Sequence, residues 1–216
     1  WIHEANGTTK YNAKDIIDKF ADKTGAGGSM DWGLAYHPYA IPLTEPEFWD
    51  DDQTGLIKYD VSSPVVNLKN LNVLTDYMQS GLLRDRNGQV RHIILSEQGF
   101  TSVSPTHGEN NDLQAAAIAY AYYIADSNPY IDAFIMSRQV DAPSEAAASM
   151  NFGLWRCDMN KPNDIVPTMR KKSWSVYKYI DDRKRTLETT EFAKSIIGIE
   201  KWSDVIPGFK WRSQEQ

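Results

Sequence analysis

The sequence predicts an α/β fold with parallel strands, and three observations predict it. Short apolar segments alternate with segments of helical periodicity, which is typical of chains built from β-α-β units. Residues 90–96 are continuously apolar after the first two or three, as in strands covered on both faces. Long loops follow the strands at 37–67, 98–109 and 138–168, whereas the helix-to-strand connections are short. This asymmetry favours a (β/α)8 barrel, whose functional loops leave the carboxyl ends of the strands.

The first part of the chain contains two predicted helices and one predicted strand. Apolar residues at helical spacing predict a helix over 12–23, which ends at the glycines of 25–28. Residues 31–36 (DWGLAY) predict a strand that a proline closes shortly afterwards. The proline-rich, aromatic stretch at 40–67 is longer than an ordinary connection, which indicates a functional loop. A second helix is predicted over 68–79.

The second part continues the alternation and ends in helices. The predicted strand at 90–96 is followed by an alanine-rich helix over 110–126, which an Asn-Pro pair ends. Residues 131–137 (IDAFIMS) predict the third strand. After a long loop, a helix is predicted over 171–181 and a shorter one over 188–197. We assign residues 1–181 to a barrel-like domain and residues 182–216 to a carboxyl-terminal helix and tail.

Composition and charge exclude several classes of function. The net charge is −6 and no basic block is present, which disfavours nucleic acids and anionic membranes as partners. No apolar run approaches the roughly 18 residues of a membrane span. The chain has one cysteine, Cys157, and four scattered histidines, so neither a disulfide nor a metal ligand spacing is indicated. The glycines at 25–28 lie between a helix and a strand, the wrong order for a phosphate loop, so no cofactor is predicted.

The main candidate for chemistry is the carboxylate that ends the second predicted strand. In RHIILSEQGF, residues 91–100, an apolar run leads directly into Ser96 and Glu97. A carboxylate at the carboxyl end of a barrel strand is partly desolvated, fixed by the backbone and directed at the ligand cleft. The alternatives are a solvated strand-end glutamate and a glutamate that caps the next turn.

Two neighbouring strand ends also carry polar side chains. His37 and Tyr39 follow the first predicted strand, and either could donate a hydrogen bond that holds Glu97 ionised and oriented. Arg138 follows the third strand, where it could bind a substrate hydroxyl or fix Glu97. A histidine that packs at the rim and an ordinary surface arginine are the structural alternatives. Aromatic residues make up 12% of the chain, which suits either stacking on sugars or a well-filled core.

These strand ends, in this order, resemble the last three strands of the clan A glycoside hydrolases, which are retaining glycosidases with a (β/α)8 barrel. The segments DWGLAYHPYAIPLTEPEFW, VRHIILSEQGFTS and LQAAAIAYAYY are most similar to a bacterial family with glycosidase-like barrels and unknown function. The resemblance covers roughly residues 10–181. It implies that this chain supplies about strands 6 to 8 of the barrel with their helices.

The resemblance also implies roles for particular residues. Glu97 matches the nucleophile of the clan, and His37 and Tyr39 match the pair on the preceding strand. Trp155 matches a sugar platform in the last loop, and Trp32 and Trp49 are further candidates for stacking on sugars. Arg138 completes the predicted substrate-binding set.

The clan carries its acid/base glutamate after an asparagine on the fourth strand, and the matching position is absent from this chain. Glu4, in the segment HEAN, is the nearest substitute but is not preceded by asparagine. Three or four strands would also leave open sheet edges. We therefore expect either a missing amino-terminal part of the barrel, another chain, or further strands within 57–61, 65–66 or 152–155. The start at Trp1, without Met or a signal peptide, is typical of a processed, trimmed or fragmentary chain.

The predicted function is the retaining hydrolysis of O-glycosidic bonds in a carbohydrate, such as a polysaccharide, with Glu97 as nucleophile. The alternative is a carbohydrate-binding protein on the same scaffold that does not catalyse a reaction. An esterase that uses Ser96 is a weaker alternative, because the Gly-x-Ser-x-Gly elbow is missing. A metal enzyme that uses His37, Glu97 and the aspartates at 50–52 would need a ligand spacing that the sequence does not show.

Overall fold

The computed structural model describes residues 1–5, 9–24, 31–206 and 208–209, and within these the side chains of 2–5, 9–11 and 22–24 are not described. The glycines at 25–28 therefore lie outside the described residues. The fold is mixed α/β, and its centre is a three-stranded parallel sheet in the order β3-β4-β7. Its strands are β3 (Leu34–Tyr36), β4 (Ile93–Gln98) and β7 (Ile131–Met136).

Outside this sheet, the part of the chain that the structure describes contains three antiparallel hairpins. They are β1 (Ile2–Ala5) with β2 (Thr9–Asn12), β5 (Val103–Ser104) with β6 (Gly108–Glu109), and β8 (Trp155–Cys157) with β9 (Pro167–Arg170). The β5–β6 hairpin belongs to the loop that follows β4. The described residues do not form a closed barrel.

The described residues form six α-helices beside the strands. They are α1 (Ala13–Thr24), α2 (Leu71–Met78), α3 (Asn111–Ser127), α4 (Pro143–Ala146), α5 (Lys172–Lys178) and α6 (Arg183–Ile197). Short 3₁₀ helices cover Phe48–Thr54, Gly81–Leu83 and Trp202–Asp204. Among the described helices, none is long and apolar enough to span a bilayer.

Helix α3 connects the central sheet to the outer helices. Its alanines need little side-chain ordering in a helix, and the Asn110 side chain accepts a hydrogen bond from Leu113 N at 3.0 Å, which caps the first turn. Nearly every residue from Leu113 to Tyr123 is buried, because α3 packs against β7 on one side and α5 and α6 on the other. This helix therefore occupies the centre of the hydrophobic core.

The two faces of the parallel sheet lie in different environments. Tyr36, Ile93 and Leu95 point into the core that includes α3, and Ile93 and Leu95 are completely buried. The residues that alternate with them along the strands remain half-buried or exposed in the described structure: Ala35, Ile94, Ser96, Ala133 and Ile135. Within the described part of the chain, this second face of the sheet is open.

The structure confirms the alternation of strands and helices and the parallel sheet, with changes at the element ends. The first strand begins at Leu34, three residues later than predicted, and the second includes Glu97 and Gln98. The last helix begins at Arg183 because the Asp182 side chain caps it by accepting a hydrogen bond from Arg185 N. The strand expected at 57–61 or 65–66 is an isolated bridge between Ile57 and Val65.

Candidate active site

A β-bulge sets the orientation of Glu97. Strand β4 pairs Leu95 with Phe134 and then Gln98 with Met136, so β4 contains one extra residue between the two pairs. Without that residue, strict alternation would place Glu97 on the buried face with Ile93 and Leu95. The bulge instead leaves Glu97 exposed and buries Gln98 completely. Bulges often redirect a side chain in this way near active sites.

Tyr39 donates a hydrogen bond to the exposed carboxylate. The distance from Tyr39 Oη to Glu97 Oε1 is 2.6 Å, which is short and typical of a charge-assisted bond. Burial and the neighbouring carboxylate both raise the pKa of Tyr39, so the phenol stays protonated and remains a donor. Because β3 and β4 are adjacent parallel strands, their carboxyl ends bring these two residues to one edge. The structure thus brings the predicted pair Tyr39 and Glu97 together.

Gly99, which directly follows β4, allows two neighbouring segments to approach the strand end closely. A Cβ atom at Gly99 would lie 2.7 Å from Ser137 Oγ and 2.9 Å from Phe152 Cβ. The absence of a side chain lets the end of β7 and the Phe152 loop approach β4 closely. Phe152 then lies beside Tyr39, with ring centroids 5.9 Å apart.

Arg138 points towards a different carboxylate from the one predicted. Its guanidinium forms a bidentate ion pair with Glu145, in which Arg138 Nε donates to Glu145 Oε2 at 2.8 Å. This pairing raises the pKa of Arg138, and the nearby charge of Glu97 acts in the same direction. Glu145 therefore holds the Arg138 side chain and compensates its charge.

His37 lies at the same edge but contacts the tyrosine. Its ring is edge-on to Tyr39, with centroids 6.4 Å apart, and the imidazole is exposed. The described structure contains no hydrogen bond between His37 and Glu97. Of the two predicted donors, Tyr39 forms the hydrogen bond to Glu97, and His37 packs against the Tyr39 ring.

The three predicted sugar-stacking tryptophans lie in three different places. Trp32 precedes β3, at the amino end of the sheet and opposite to Glu97, where the Arg91 guanidinium lies 4.2 Å from its ring centroid. Trp49 packs against Phe48 and Tyr120 in the aromatic part of the core. The Trp155 ring lies 4.9 Å from the Arg170 guanidinium, next to the β8–β9 hairpin. The structure does not gather these rings around Glu97.

A buried polar network holds the loop that carries Phe152. Lys171 Nζ donates to Asp141 Oδ1 at 2.8 Å and to Asn151 O at 2.9 Å, and both ionic side chains are almost fully enclosed. Gln114 Nε2, from α3, donates to the carbonyls of Phe100, Asn151 and Gly153. The network thereby ties the loops after β4 and β7 to the helix layer, which positions Phe152 beside Tyr39.

Two of the aspartates at 50–52, Asp51 and Asp52, form contacts that pack the loop that carries them. Asp51 is buried and its Oδ2 accepts hydrogen bonds from Ile41 N at 3.1 Å and Asn67 Nδ2 at 2.5 Å. Asp52 accepts a hydrogen bond from Tyr59 and pairs with Lys69 at 3.1 Å. These contacts explain the acidic sequence as loop packing. The side chain of Glu4 lies outside the described ones, so its predicted role receives no structural account.

The sequence indicates two of the four residues that shape this edge, since Gly99 lies two residues after Glu97 and Ser137 ends the third predicted strand. Sequence reasoning did not find the other two, Glu145 and Phe152. They come from the loop after β7, and the pairing of β4 with β7 brings them close. Contacts that depend on such pairing leave no periodic pattern in the sequence.

Comparison with known proteins gives a family but no curated function. The model of a family of unknown function, DUF5722, matches residues 1–205, and the chain belongs to this family. Among solved structures, the chain is similar to a family 39 glycoside hydrolase from the gut symbiont Bacteroides cellulosilyticus WH2, with 17% identity and a TM-score of 0.48. That match covers 82% of this chain and 30% of the other, so the chain spans less than a third of that structure. No curated protein matches the chain.

Proposed function

We propose that Glu97 is the nucleophile of a retaining glycosidase site, on a scaffold in which this chain supplies the carboxyl-terminal strands of a (β/α)8 barrel. The observation that carries the proposal is the 2.6 Å hydrogen bond from Tyr39 Oη to Glu97 Oε1, on a carboxylate that a bulge exposes at the strand end. Tyr39 leaves the second oxygen of Glu97 available for attack. His37 and Arg138 flank this position, and the substrate is a carbohydrate.

The proposed first step is attack of the Glu97 carboxylate on the anomeric carbon. The new C–O bond forms while the bond to the leaving oxygen breaks, and the leaving oxygen keeps the electron pair. A retaining mechanism needs a second carboxyl group about 5–5.5 Å away that protonates the leaving group. We propose that this residue lies outside the chain, on a preceding barrel strand.

A carbohydrate-binding protein without catalysis is the alternative function. It relies on Trp32, Trp49 and Trp155 as stacking platforms. Trp32 lies at the amino end of the sheet, Trp49 packs in the core, and the Trp155 ring lies against the Arg170 guanidinium. The Tyr39 hydrogen bond fixes the orientation of the Glu97 carboxylate and leaves its second oxygen free, which suits an attacking nucleophile. The catalytic proposal therefore has the stronger support.

Covalent labelling tests the proposal without the missing proton donor. A dinitrophenyl 2-deoxy-2-fluoroglycoside carries a leaving group that departs without protonation, so Glu97 alone suffices to form the glycosyl-enzyme. We expect a panel of α- and β-anomers to yield one adduct by intact-mass spectrometry, with the label on the Glu97 peptide. Tyr39→Phe should slow the labelling about 10-fold, the effect of losing one hydrogen bond to a charged group.

Glu97→Gln is the matched control, since it keeps the shape of the side chain and removes the nucleophile. It should give no adduct while sugar binding, measured by calorimetry, stays within a few-fold of the original chain. A label on another carboxylate, or no label with any member of the panel, would contradict the proposal. Sugar binding without labelling would favour the binding protein.

A further inference from the structure

Three metal-ligating side chains meet where two strand-end loops come together. Glu45 and Glu47 lie in the loop after β3, and His107 lies in the turn of the β5–β6 hairpin after β4. One carboxylate oxygen of each glutamate and one ring nitrogen of His107 all lie within 4.8 Å of one another. The proposed glycosidase chemistry uses none of the three residues.

Glu45 holds one carboxylate oxygen in place and leaves the other without a donor. Its Oε1 accepts hydrogen bonds from Thr106 N at 3.2 Å and from Thr106 Oγ1 at 2.8 Å. Its Oε2 is enclosed and has no hydrogen-bond partner among the described residues. Enclosing a charged oxygen without a partner is costly, and a cation beside it would remove that cost.

Glu47 and His107 form the other side of the group. The distance from His107 Nε2 to Glu47 Oε1 is 2.5 Å, and the side chains are 17% exposed for Glu47 and 40% exposed for His107. Burial raises the pKa of Glu47, Glu45 adds to this effect, and the imidazole opposes it. The group therefore contains two carboxylates and at most one positively charged side chain, and it is partly enclosed.

The backbone around the ligands is held by local hydrogen bonds. His107 N donates to Ser104 Oγ at 2.9 Å, which fixes the hairpin turn that presents the imidazole. Glu47 immediately precedes the 3₁₀ helix Phe48–Thr54, whose first residue is fully buried in the core. Both sides of the group are thus anchored to structure that exists without a bound ion.

The donor set and spacing fit a divalent transition metal. Zinc takes imidazole nitrogen and carboxylate oxygen at about 2.0–2.2 Å, so ligand atoms around a tetrahedral ion lie about 3.4 Å apart. His107 Nε2 and Glu47 Oε1 are 2.5 Å apart, and all the ligand atoms lie within 4.8 Å of one another, so movements of about 1 Å would suffice to reach that spacing. Calcium and magnesium prefer sites with only oxygen ligands, so the imidazole of His107 favours a transition metal over these two ions.

We propose that Glu45, Glu47 and His107 bind one divalent transition-metal ion, with zinc as the best match. The ion lies between His107 Nε2 and the two carboxylates and satisfies Glu45 Oε2. The partly exposed His107 leaves the fourth position open to water. Bound in this way, the ion fastens the loop after β3, which begins with His37 and Tyr39, to the hairpin after β4.

Calorimetric titration of the chelator-treated chain with zinc chloride tests the site. We expect one equivalent to bind and zinc to raise the melting temperature. His107→Ala and Glu45→Gln should each weaken binding at least 10-fold and abolish most of that rise. Their melting temperatures without zinc should stay near that of the original chain, since His107 lies at a partly exposed turn and glutamine keeps the acceptor for Thr106.

His92 offers a matched control. Its side chain is 89% exposed and pairs with Asp132 at 3.1 Å, so it represents an ordinary surface histidine beside a carboxylate. His92→Ala and Glu97→Gln should both keep the zinc affinity within about twofold. The proposal is overturned if the original chain binds no zinc, if His107→Ala and Glu45→Gln bind it unchanged, or if His92→Ala loses as much affinity as His107→Ala.

Discussion

Asp51 shows how one buried carboxyl group can set the pH dependence of the whole fold. The side chain is 4% exposed and accepts hydrogen bonds from Ile41 N and Asn67 Nδ2. Burial outweighs these bonds and raises the pKa of Asp51 to about 7, from an ordinary value of 3.8. The folded state therefore holds the Asp51 proton more tightly than the unfolded chain does.

This shift predicts that Asp51 stabilises the fold most at low pH. Its contribution is complete below about pH 4 and is lost as the pH rises towards 7, a change of about 4 kcal/mol in the free energy of unfolding. Asp51→Asn keeps the acceptor for Ile41 N and cannot ionise, so it should remove this part of the pH dependence. Urea unfolding between pH 4.5 and 7.5 measures the difference between the two chains. Asp50→Asn, at an exposed neighbour, should leave the slope unchanged, and a slope that persists in Asp51→Asn would contradict the assignment.

At the scale of elements, the loop after β7 depends on a close backbone contact at Gly153. A Cβ atom there would lie 2.3 Å from Asp141 N and 2.5 Å from Val140 C, and neither backbone atom can move without disturbing the Lys171–Asp141 pair. Gly153→Ala should therefore lower the free energy of unfolding by about 3 kcal/mol. Because Phe152 is the preceding residue, the same change should also slow the labelling of Glu97.

Gly81→Ala is the control for that prediction. No atom lies within 4 Å of the added Cβ at Gly81, so its free energy of unfolding should change by less than about 0.5 kcal/mol. Chemical denaturation of both variants checks the difference. Equal effects of the two substitutions would mean that the loop after β7 adjusts freely, and that the buried network does not position Phe152.

Some features of the fold are determined within single segments of the sequence, whereas others depend on pairing between distant segments. The helices and the three parallel strands follow from periodicity within single segments, and the prediction that Glu97 lies at the end of β4 is of this kind. Its orientation could not be predicted, because the bulge exists only in the pairing of β4 with β7. The hairpins were missed because strands of two to four residues are too short to show a period. The predicted strand at 31–36 includes Trp32, but the observed strand begins only at Leu34, so Trp32 precedes it.

At the scale of the whole molecule, the open face of the parallel sheet is an exposed surface with apolar residues beside unpaired strand edges. Ile135 is 45% exposed on this face, and β3 and β7 form its two edges in the described structure. In the proposed barrel, this face would point into the barrel interior and would be covered. In the chain alone, exposed apolar residues beside unpaired strand edges favour association between chains.

We therefore predict that the 216-residue chain alone self-associates at about 100 µM and that the open face mediates the contact. Ile135→Lys places a charge on the open face and on the edge strand β7, so it should restore a monomer in sedimentation velocity. Leu82→Lys changes a residue that is 65% exposed on the short 3₁₀ helix after α2, and it should leave the association intact. If the original chain is monomeric, or if Ile135→Lys and Leu82→Lys have equal effects, the open face does not mediate association. The proposed barrel would then need other support, because an interior barrel face should not be stable in water when it is uncovered.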